Sequence, residues 1–260
     1  MNEALSPYVR LIGKIANTRH PGGLKASESL LNKTDINKKW RILDLGCGAG
    51  HTSAHIAKKY GCYVNGVDIS TDALHHASQL YKNEPYFKQM QFEQGDIKHL
   101  SFSDGYFNAV VCESVLLFLE EKEAAIAEMI RVLKPGGFLL LNELCLGDSS
   151  QDELRSYLAR PEFAGHLCST HFLEEIILKH GLCIKINEQN PLNILEQLKA
   201  DILQFGNMKG VYQLLELAHQ IFTNRESRID ILRLIKFFLD MPSGISKLIN
   251  LRILAQKSHL

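Results

Sequence analysis

The 260-residue sequence has no excess of charge of either sign. Lys and Arg number 29, and so do Asp and Glu, which gives a formal net charge of zero at pH 7. Proteins dedicated to nucleic-acid binding usually carry a basic excess or a basic stripe. Neither is visible here, so the sequence argues against a nucleic-acid partner.

Long apolar runs and paired cysteines are absent too. No segment reaches the roughly 18 apolar residues that span a bilayer, and residues 1–10 contain no apolar run of the signal-peptide type. The six cysteines include no Cys-x-x-Cys spacing and mostly lie in or beside apolar segments, as expected for buried free thiols in a reducing compartment. We therefore expect a cytoplasmic protein with no membrane partner. Because 45% of its residues are hydrophobic, the chain can also build one large core.

What the sequence does contain is a glycine-rich segment between two predicted strands. Residues 41–50 read RILDLGCGAG, and Asp68 follows eighteen residues later, at the end of CYVNGVD. Glycines at the end of a strand allow a tight turn and leave no side chains in the way of a ligand. An acid at the end of the next strand can accept hydrogen bonds from the hydroxyls of a ribose. The pattern predicts a nucleoside-containing ligand.

The spacing of the glycines indicates which nucleoside ligand this is. Dinucleotide-binding loops need Gly-x-Gly-x-x-Gly, whereas Gly46, Gly48 and Gly50 form Gly-x-Gly-x-Gly. Asp44 adds a negative charge that would repel a pyrophosphate but favour a cationic amino-acid group. The loop therefore disfavours nicotinamide-dependent oxidoreduction and favours S-adenosylmethionine as the cofactor.

From about residue 21 to about residue 146 the chain resembles the class I S-adenosylmethionine-dependent methyltransferases, in their small-molecule branch. Besides the glycine loop, the resemblance includes Asp96 after the third predicted strand, an apolar strand at 109–112, and a Lys-Pro-Gly-Gly turn. That turn follows an amphipathic helix expected to end at Leu133 and precedes a strand at 138–141. The resemblance implies an α/β fold: a Rossmann-like, seven-stranded, mostly parallel sheet with helices on both faces and an antiparallel last strand.

The resemblance also implies which residues contact the cofactor. The predicted set is Asp44, Gly46, Cys47, Gly48, Gly50, Asp68, Ile69, Asp96, Ile97, Glu113 and Gly22. Gly22 belongs to a Gly-Gly-Leu-x-Ala-Ser segment. In quinone-biosynthesis and phosphoethanolamine methyltransferases a similar segment, with Thr in place of Ser27, lies beside the methionine end of the cofactor. The alternative for Gly22 is a helix lead-in without ligand contact.

The sequence does not identify a catalytic residue, and the candidates are Glu113, Glu143 and His20. Phosphoethanolamine enzymes use an acid and a histidine after the fourth strand, but Ser114 and Phe118 occupy those positions here, which disfavours phosphoethanolamine as the acceptor. Glu113 either binds the ammonium of the cofactor or caps the following helix. Glu143 ends the next strand, and an acidic pair at that edge would favour a cationic or hydroxyl-bearing acceptor.

Four further histidines invite a functional interpretation. His51 and His55 lie four residues apart on the helix after the glycine loop, but two histidines without a third ligand seldom bind a metal, and no metal site is predicted. His166 and His171 flank a loop where an acceptor could enter, before a helix predicted at 172–179. A surface position is the simpler interpretation of both.

The last third of the chain shows a different pattern. Apolar residues recur at helical spacing from Leu192 to about Met241, and the run IDILRLIKFFLD is apolar on nearly every side, so it needs to be buried. The best candidate for the last strand is 251–256. We therefore predict a cofactor-binding core at 1–191, a C-terminal helical insertion at 192–241 and a return to the core at 242–260. The insertion would cover the acceptor pocket or form a homodimer surface.

These observations predict methyl transfer from S-adenosylmethionine to a small-molecule acceptor by in-line displacement. The alternative is an S-adenosylmethionine-binding regulatory protein that lacks turnover, since Ser114 and Phe118 replace the known catalytic pair. The acceptor molecule and its reacting atom stay open.

Overall fold

A computed structural model describes residues 6–15, 20–147, 152–192, 219, 222–240 and 248–259. Its centre is one seven-stranded sheet. The strands are β1 (Arg41–Leu45), β2 (Tyr63–Asp68), β3 (Met90–Gln94), β4 (Phe107–Glu113), β5 (Leu133–Leu146), β6 (Leu182–Pro191) and β7 (Leu248–Lys257). Their order in the sheet is β3-β2-β1-β4-β5-β7-β6, with β7 antiparallel to both of its neighbours and the pairs among β1 to β5 parallel. The predicted fold class and antiparallel last strand are confirmed.

Helices cover both faces of this sheet. They are α1 (Pro7–Ile15), α2 (Gly23–Leu31), α3 (His51–Tyr60), α4 (Thr71–Tyr81), α5 (Lys122–Val132), α6 (Asp152–Leu158), α7 (Thr170–Lys179) and α8 (Arg225–Leu239). Short 3-10 turns lie at Phe87–Gln89 and Leu116–Phe118. The hydroxyls of Ser70 and Ser169 cap α4 and α7 by accepting backbone N–H bonds three residues later. Among the helices described, none combines the length and hydropathy needed to cross a membrane.

Apolar side chains pack against both faces because neighbouring strand residues point in opposite directions. Leu43 lies in a core with side chains of α5 and α7, whereas Ile42, next to it in β1, lies in a second core with side chains of α2 and α3. A third cluster, at the carboxyl edge of the sheet, joins residues of α6 to Phe237 of α8. With both faces covered, the central strands read as nearly continuous apolar runs.

The Lys-Pro-Gly-Gly segment forms a bulge inside a strand. The pairing of β4 with β5 moves from Phe107 opposite Leu133 to Ala109 opposite Phe138, so residues 134–137 lie opposite a single residue. The predicted helix end is correct to within one residue. The predicted strand at 138–141 is too short, because β5 continues to Leu146 by pairing with β7.

Among the described side chains of α8, those that are buried lie on one face of the helix. Its buried side chains are Ser227, Asp230, Leu234 and Phe237. Its exposed large apolar side chains are Ile229, Leu232, Ile235 and Leu239. The sequence predicts a helix that needs burial on nearly every side, and the described part of the chain supplies burial for one. The other predicted helices between 192 and 222 fall almost wholly outside the described residues.

Candidate active site

The glycine loop between β1 and α3 has one position that faces open space. Gly46, Gly48 and Gly50 have φ angles of 66°, 53° and 74°, a region that favours glycine. A Cβ on Gly46 would overlap Val115, and one on Gly50 would lie 2.7 Å from Phe92. A Cβ on Gly48 would meet nothing within 4 Å. Gly48 is therefore the glycine of this loop that leaves room for a ligand.

Asp68, at the end of β2, holds this loop. Its Oδ2 accepts a hydrogen bond from the backbone N–H of Gly48 at 2.8 Å, and its Oδ1 accepts one from Ser70 at 2.8 Å. Burial raises the pKa of Asp68, and the amide donors oppose that rise. Each carboxylate oxygen has a second lone pair, so further donors can still be accepted. The structure brings Asp68 to the glycine loop, and its contact with a ribose stays a prediction.

The residues after β2 and β3 lie side by side. Ile69 is 50% exposed, although it is large and apolar. The carbonyl of Asp68 accepts a hydrogen bond from the N–H of Gly95 at 3.1 Å, which brings the segment after β3 next to Ile69. In that segment Asp96 accepts a backbone N–H two residues later, and Ile97 is buried in the core. An uncovered apolar side chain beside a carboxylate suits an adenine ring with its amino group.

Glu113, at the end of β4, is the centre of a buried polar network. Its Oε1 accepts hydrogen bonds from the Ser27 hydroxyl at 2.8 Å and from Asn142 Nδ2 at 3.3 Å. Its Oε2 accepts one from the Thr52 hydroxyl at 3.0 Å. The side chain is 7% exposed. These donors from α2, α3 and β5 offset the cost of burying a carboxylate.

His20 belongs to the same network. The imidazole is 4% exposed, with its Nε2 3.2 Å from the Ser27 hydroxyl and its Nδ1 3.7 Å from Glu113 Oε2. Both ring nitrogens therefore face polar partners. The structure thus brings together two of the three catalytic candidates, His20 and Glu113.

The segment that carries His20 is fastened to β5. The carbonyl of Pro21 accepts a hydrogen bond from Asn142 Nδ2 at 3.0 Å. Gly22 turns the chain into α2 with a φ of 76°, and a Cβ there would lie 2.9 Å from that of Ala26. Gly22 thus has the local role of leading the chain into a helix, which was the alternative to a ligand contact. Its contact with the cofactor stays a prediction.

Asp44 adds a third acid near the glycine loop, and its side chain is buried. Its Oδ2 accepts a hydrogen bond from the Ser53 hydroxyl of α3 at 2.5 Å. Burial raises the pKa of Asp44 to about 7; the Ser53 bond opposes this, and the charges of Glu113 and Asp68 add to it. Burial also raises the pKa of the Cys47 thiol, which stays protonated. Three acids around one loop favour a bound cation and disfavour a pyrophosphate.

Glu143 faces away from this site. Asn142 pairs with Glu113 across β4 and β5, so the next side chain points to the opposite face of the sheet. There the Oε1 of Glu143 accepts the backbone N–H groups of Val115 at 3.0 Å and Leu116 at 3.1 Å. Burial raises the pKa of Glu143 to about 7. The prediction that Glu113 and Glu143 form an acidic pair is wrong. Glu143, not Glu113, holds the turn after β4.

An aromatic cluster follows the end of β4. Ser114 has a φ of 56°, unusual for a residue other than glycine, and its N–H bonds to the carbonyl of Asn142 at 2.9 Å. The ring of Phe118 stacks on Tyr8 of α1 at 5.7 Å and tilts against Phe163 at 5.5 Å. Phe118 therefore contributes an apolar wall where the phosphoethanolamine enzymes are expected to have a titratable group.

Sequence reasoning missed Thr52, Ser53 and Asn142, and noted Ser27 only as a replacement for Thr. Thr52 and Ser53 directly follow the first residue of α3, so their position after the glycine loop was a usable signal. Asn142 was visible as a polar residue in an apolar strand, but choosing between it and Glu143 requires the register of β4 against β5.

The histidines of α3 have separate partners. His51 Nδ1 lies 2.6 Å from the Tyr81 hydroxyl, and His55 Nε2 lies 3.4 Å from a Glu28 carboxylate oxygen. Within the described ranges no group of three or more His, Cys, Asp and Glu side chains could hold a metal ion.

His166 and His171 do not reach the site around Glu113. His171 is exposed and lies 3.1 Å from Glu175 in the same helix, as its interpretation as a surface residue predicts. His166 lines a separate cavity of about 600 Å³ between the start of α5, α6 and the start of α7.

Comparison with known proteins supports the family resemblance. Residues 43–141 match a family model described as a methyltransferase domain. A protein of Haemophilus influenzae is 33% identical over 138 residues, which are 52% of this chain and 55% of that protein, so the chain spans about half the length of this relative. The phosphoethanolamine N-methyltransferase of Plasmodium falciparum is 24% identical over 252 residues, covering 95% of this chain and 85% of that one.

A solved structure shows the same fold. Phosphoethanolamine N-methyltransferase 2 of Haemonchus contortus, in complex with S-adenosyl-L-methionine, superposes with a TM-score of 0.71 at 19% identity. The match covers 100% of this chain and 59% of that one.

Proposed function

Because this chain belongs to the class I S-adenosylmethionine-dependent methyltransferases, we propose that it transfers the methyl group of S-adenosylmethionine to a small-molecule acceptor. The observation that carries this proposal is the arrangement around Gly48. An open glycine position, the Asp68 carboxylate that bonds to its amide, and the buried side chains of Asp44 and Glu113 surround one loop. This combination suits a ribose at one end of a ligand and a cation at the other.

The residues present fit the cofactor. Asp68 would accept the ribose hydroxyls, and Ile69 would cover one face of the adenine, with Asp96 near its amino group. The backbone of the glycine loop would lie against the ligand at Gly48. Asp44 and Glu113 would stabilise the ammonium through their charges.

The bound cofactor supplies an electrophilic methyl group on a positively charged sulfur. The protein's part is to hold the acceptor's lone pair in line with that methyl group and to exclude water. Orientation of this kind contributes on the order of 7 to 11 kcal/mol, and a general base about 3 to 5 kcal/mol. Catalysis thus depends mainly on positioning. His20 and Glu113 are the candidates for any further proton transfer, because Glu143 points to the other face of the sheet.

We propose that the acceptor contacts an apolar, aromatic wall. Tyr8, Phe118 and Phe163 form such a wall beyond the end of β4. Arg10 of α1 bonds to the buried Asp230 of α8 through two nitrogens, at 3.2 and 2.8 Å to Oδ2, so α8 holds α1 beside this wall. This supports a capping role for part of the 192–241 insertion. The exposed apolar side chains of α8 support a homodimer surface on its other face.

The alternative function is cofactor binding without turnover, and the replacement of the acid and histidine pair by Ser114 and Phe118 favours it. Calorimetry with S-adenosylhomocysteine, with NAD as the control ligand, tests the cofactor. Incubation with S-adenosylmethionine and a fractionated metabolite extract separates the two functions, since only an enzyme forms S-adenosylhomocysteine. Binding of NAD instead would contradict both.

A further inference from the structure

The 600 Å³ cavity beside α7 is lined by the thiol of Cys168, next to the buried thiol of Cys145, and the proposed methyl transfer uses neither. Leu146 of β5 and Ser169 form an isolated parallel bridge, and the N–H of Leu146 bonds to the carbonyl of Cys168 at 2.9 Å. This bridge places Cys145 beside Cys168. Neighbouring strands lie about 4.7 to 4.9 Å apart, within the roughly 4.4 to 6.8 Å between Cα atoms that a disulfide needs.

The two thiols differ in access. Cys145 is completely buried, whereas Cys168 is partly exposed and lines the cavity. They are hydrogen-bonded to each other. An accessible thiol backed by a buried one is the arrangement of an attacking and a resolving cysteine.

The cavity also favours a thiolate and anionic ligands. Lys122, Arg155 and His166 line it, against one acid, Glu120, which lies 3.7 Å from His166. The hydrogen bond from Cys145 and the Lys122 ammonium lower the pKa of the Cys168 thiol, against the effect of burial. The bond to Cys168, together with burial, raises the pKa of Cys145. Cys168 is thus the partner that loses its proton more readily, and a thiolate is the nucleophile in disulfide exchange.

We propose that Cys168 and Cys145 form a thiol–disulfide exchange site for anionic low-molecular-weight disulfides of the oxidised-glutathione class. The Cys168 thiolate attacks one sulfur of the small disulfide, forming a mixed disulfide and releasing one thiolate. Cys145 then attacks the Cys168 sulfur, closing the Cys145–Cys168 disulfide, and the second small thiol leaves with the proton of Cys145. Two protein thiols are oxidised and one small disulfide is reduced to two thiols.

Peptide mapping after timed exposure to oxidised glutathione at neutral pH tests this site. Cys183 is an internal control because it is exposed but has no neighbouring thiol described. We expect Cys168 to react before Cys183 and to give a Cys145–Cys168 cross-linked peptide. Faster modification of Cys183, or no cross-linked peptide, would overturn the proposal.

Two variants sharpen the test. Cys145→Ala should trap the mixed disulfide on Cys168, and if this variant fails to fold, the mapping of the unaltered chain still decides. A second measurement compares the rate with oxidised glutathione to the rate with the neutral bis(2-hydroxyethyl) disulfide. This rate ratio should be about tenfold higher at Cys168 than at Cys183. Lys122→Met should reduce that preference, whereas an unchanged preference would exclude an anion-selective cavity.

Discussion

The carboxylate of Asp68 accepts the backbone N–H of Gly48 at 2.8 Å and thereby joins the end of β2 to the open position of the glycine loop. The same carboxylate is the proposed partner of the ribose hydroxyls. In this proposal one side chain both holds the loop and binds the ligand that lies against it.

Asp68→Ala should abolish measurable S-adenosylhomocysteine binding while leaving the fold intact. Hydrogen bonds to a charged group contribute about 1.5 to 3 kcal/mol each, so losing two weakens binding by more than about a hundredfold. Calorimetric titration measures this, with circular dichroism as the check on folding. A folded variant with unchanged affinity would place the cofactor elsewhere.

Gly48→Val should impair binding more than Asp68→Ala does, because a branched side chain would occupy the ligand's space and strain a φ of 53°. Gly181 offers a matched control: its φ is 79°, and a Cβ on it would also meet nothing within 4 Å, but it lies in the turn before β6. Gly48→Ala should lower the affinity for S-adenosylhomocysteine and Gly181→Ala should not, although both substitutions strain the backbone. Equal affinities for these two variants would show that the loop does not touch the ligand.

Cofactor affinity should fall as the pH is lowered from 8 to 6. The pKa of Asp44 is raised to about 7, so this carboxyl gains a proton over that range and loses its attraction for the ligand's ammonium. The expected loss is at most about tenfold per pH unit below 7. Titrations of S-adenosylhomocysteine across this range measure it, and Asp44→Asn should flatten the dependence. A pH-independent affinity in the unaltered protein would remove Asp44 from the ammonium site.

Glu143→Gln should make stability less sensitive to pH. Burial raises the pKa of Glu143 from 4.5 to about 7, so the folded state binds a proton that the unfolded state has released between these values. Stability from this group is complete below about pH 4.5 and is lost as the pH rises to about 7, by roughly 3 kcal/mol. Urea unfolding at pH 5 and pH 8 should show a smaller loss in Glu143→Gln. Glu128→Gln is a control that should leave this loss unchanged, because Arg131 lowers the pKa of Glu128 below its usual 4.5 and the contribution of that group changes only below the range from pH 5 to pH 8. An unchanged loss in Glu143→Gln would contradict this account.

Leu232→Gln with Ile235→Gln should convert a homodimer to a monomer if α8 forms the proposed dimer surface. These side chains are 66% and 51% exposed, on the face turned away from Asp230. Sedimentation velocity measures the change, and the outward Arg233→Gln is the control. A variant that keeps the oligomeric state of the unaltered protein would leave only the capping role for this helix.

The sheet and the turn after its first strand were predictable because they depend on local patterns. Glycine spacing, an acid after the second strand and apolar runs of strand length all lie within short segments, and the family order of those segments predicts the sheet. The bulge at 134–137 was not predicted, because it depends on the pairing of β4 with β5. The full length of β5 was not predicted either, because pairing with β7, more than a hundred residues further along the chain, extends that strand.

The polar network around Glu113 could be predicted only in part. Its members come from α2, α3, β4, β5 and the segment before α2, and a one-residue change in strand register exchanges Asn142 for Glu143 at the site. His20 was a candidate from the segment around it, but nothing in the sequence says that it meets Glu113 through Ser27. Which side chains from distant parts of the sequence meet at one carboxylate depends on how the elements pack. Patterns of single residues do not encode that packing.

Transfer of an isotopically labelled methyl group tests the central claim most directly. The protein is incubated with S-adenosylmethionine carrying a deuterated methyl group and with metabolite fractions, and mass spectrometry follows both S-adenosylhomocysteine and the products. We predict that one fraction yields a small molecule carrying the labelled methyl group, with an equal amount of S-adenosylhomocysteine, and that Asp68→Ala yields neither. Tight binding of S-adenosylmethionine with no labelled product from any fraction would contradict the claim that this protein is a methyltransferase acting on small molecules.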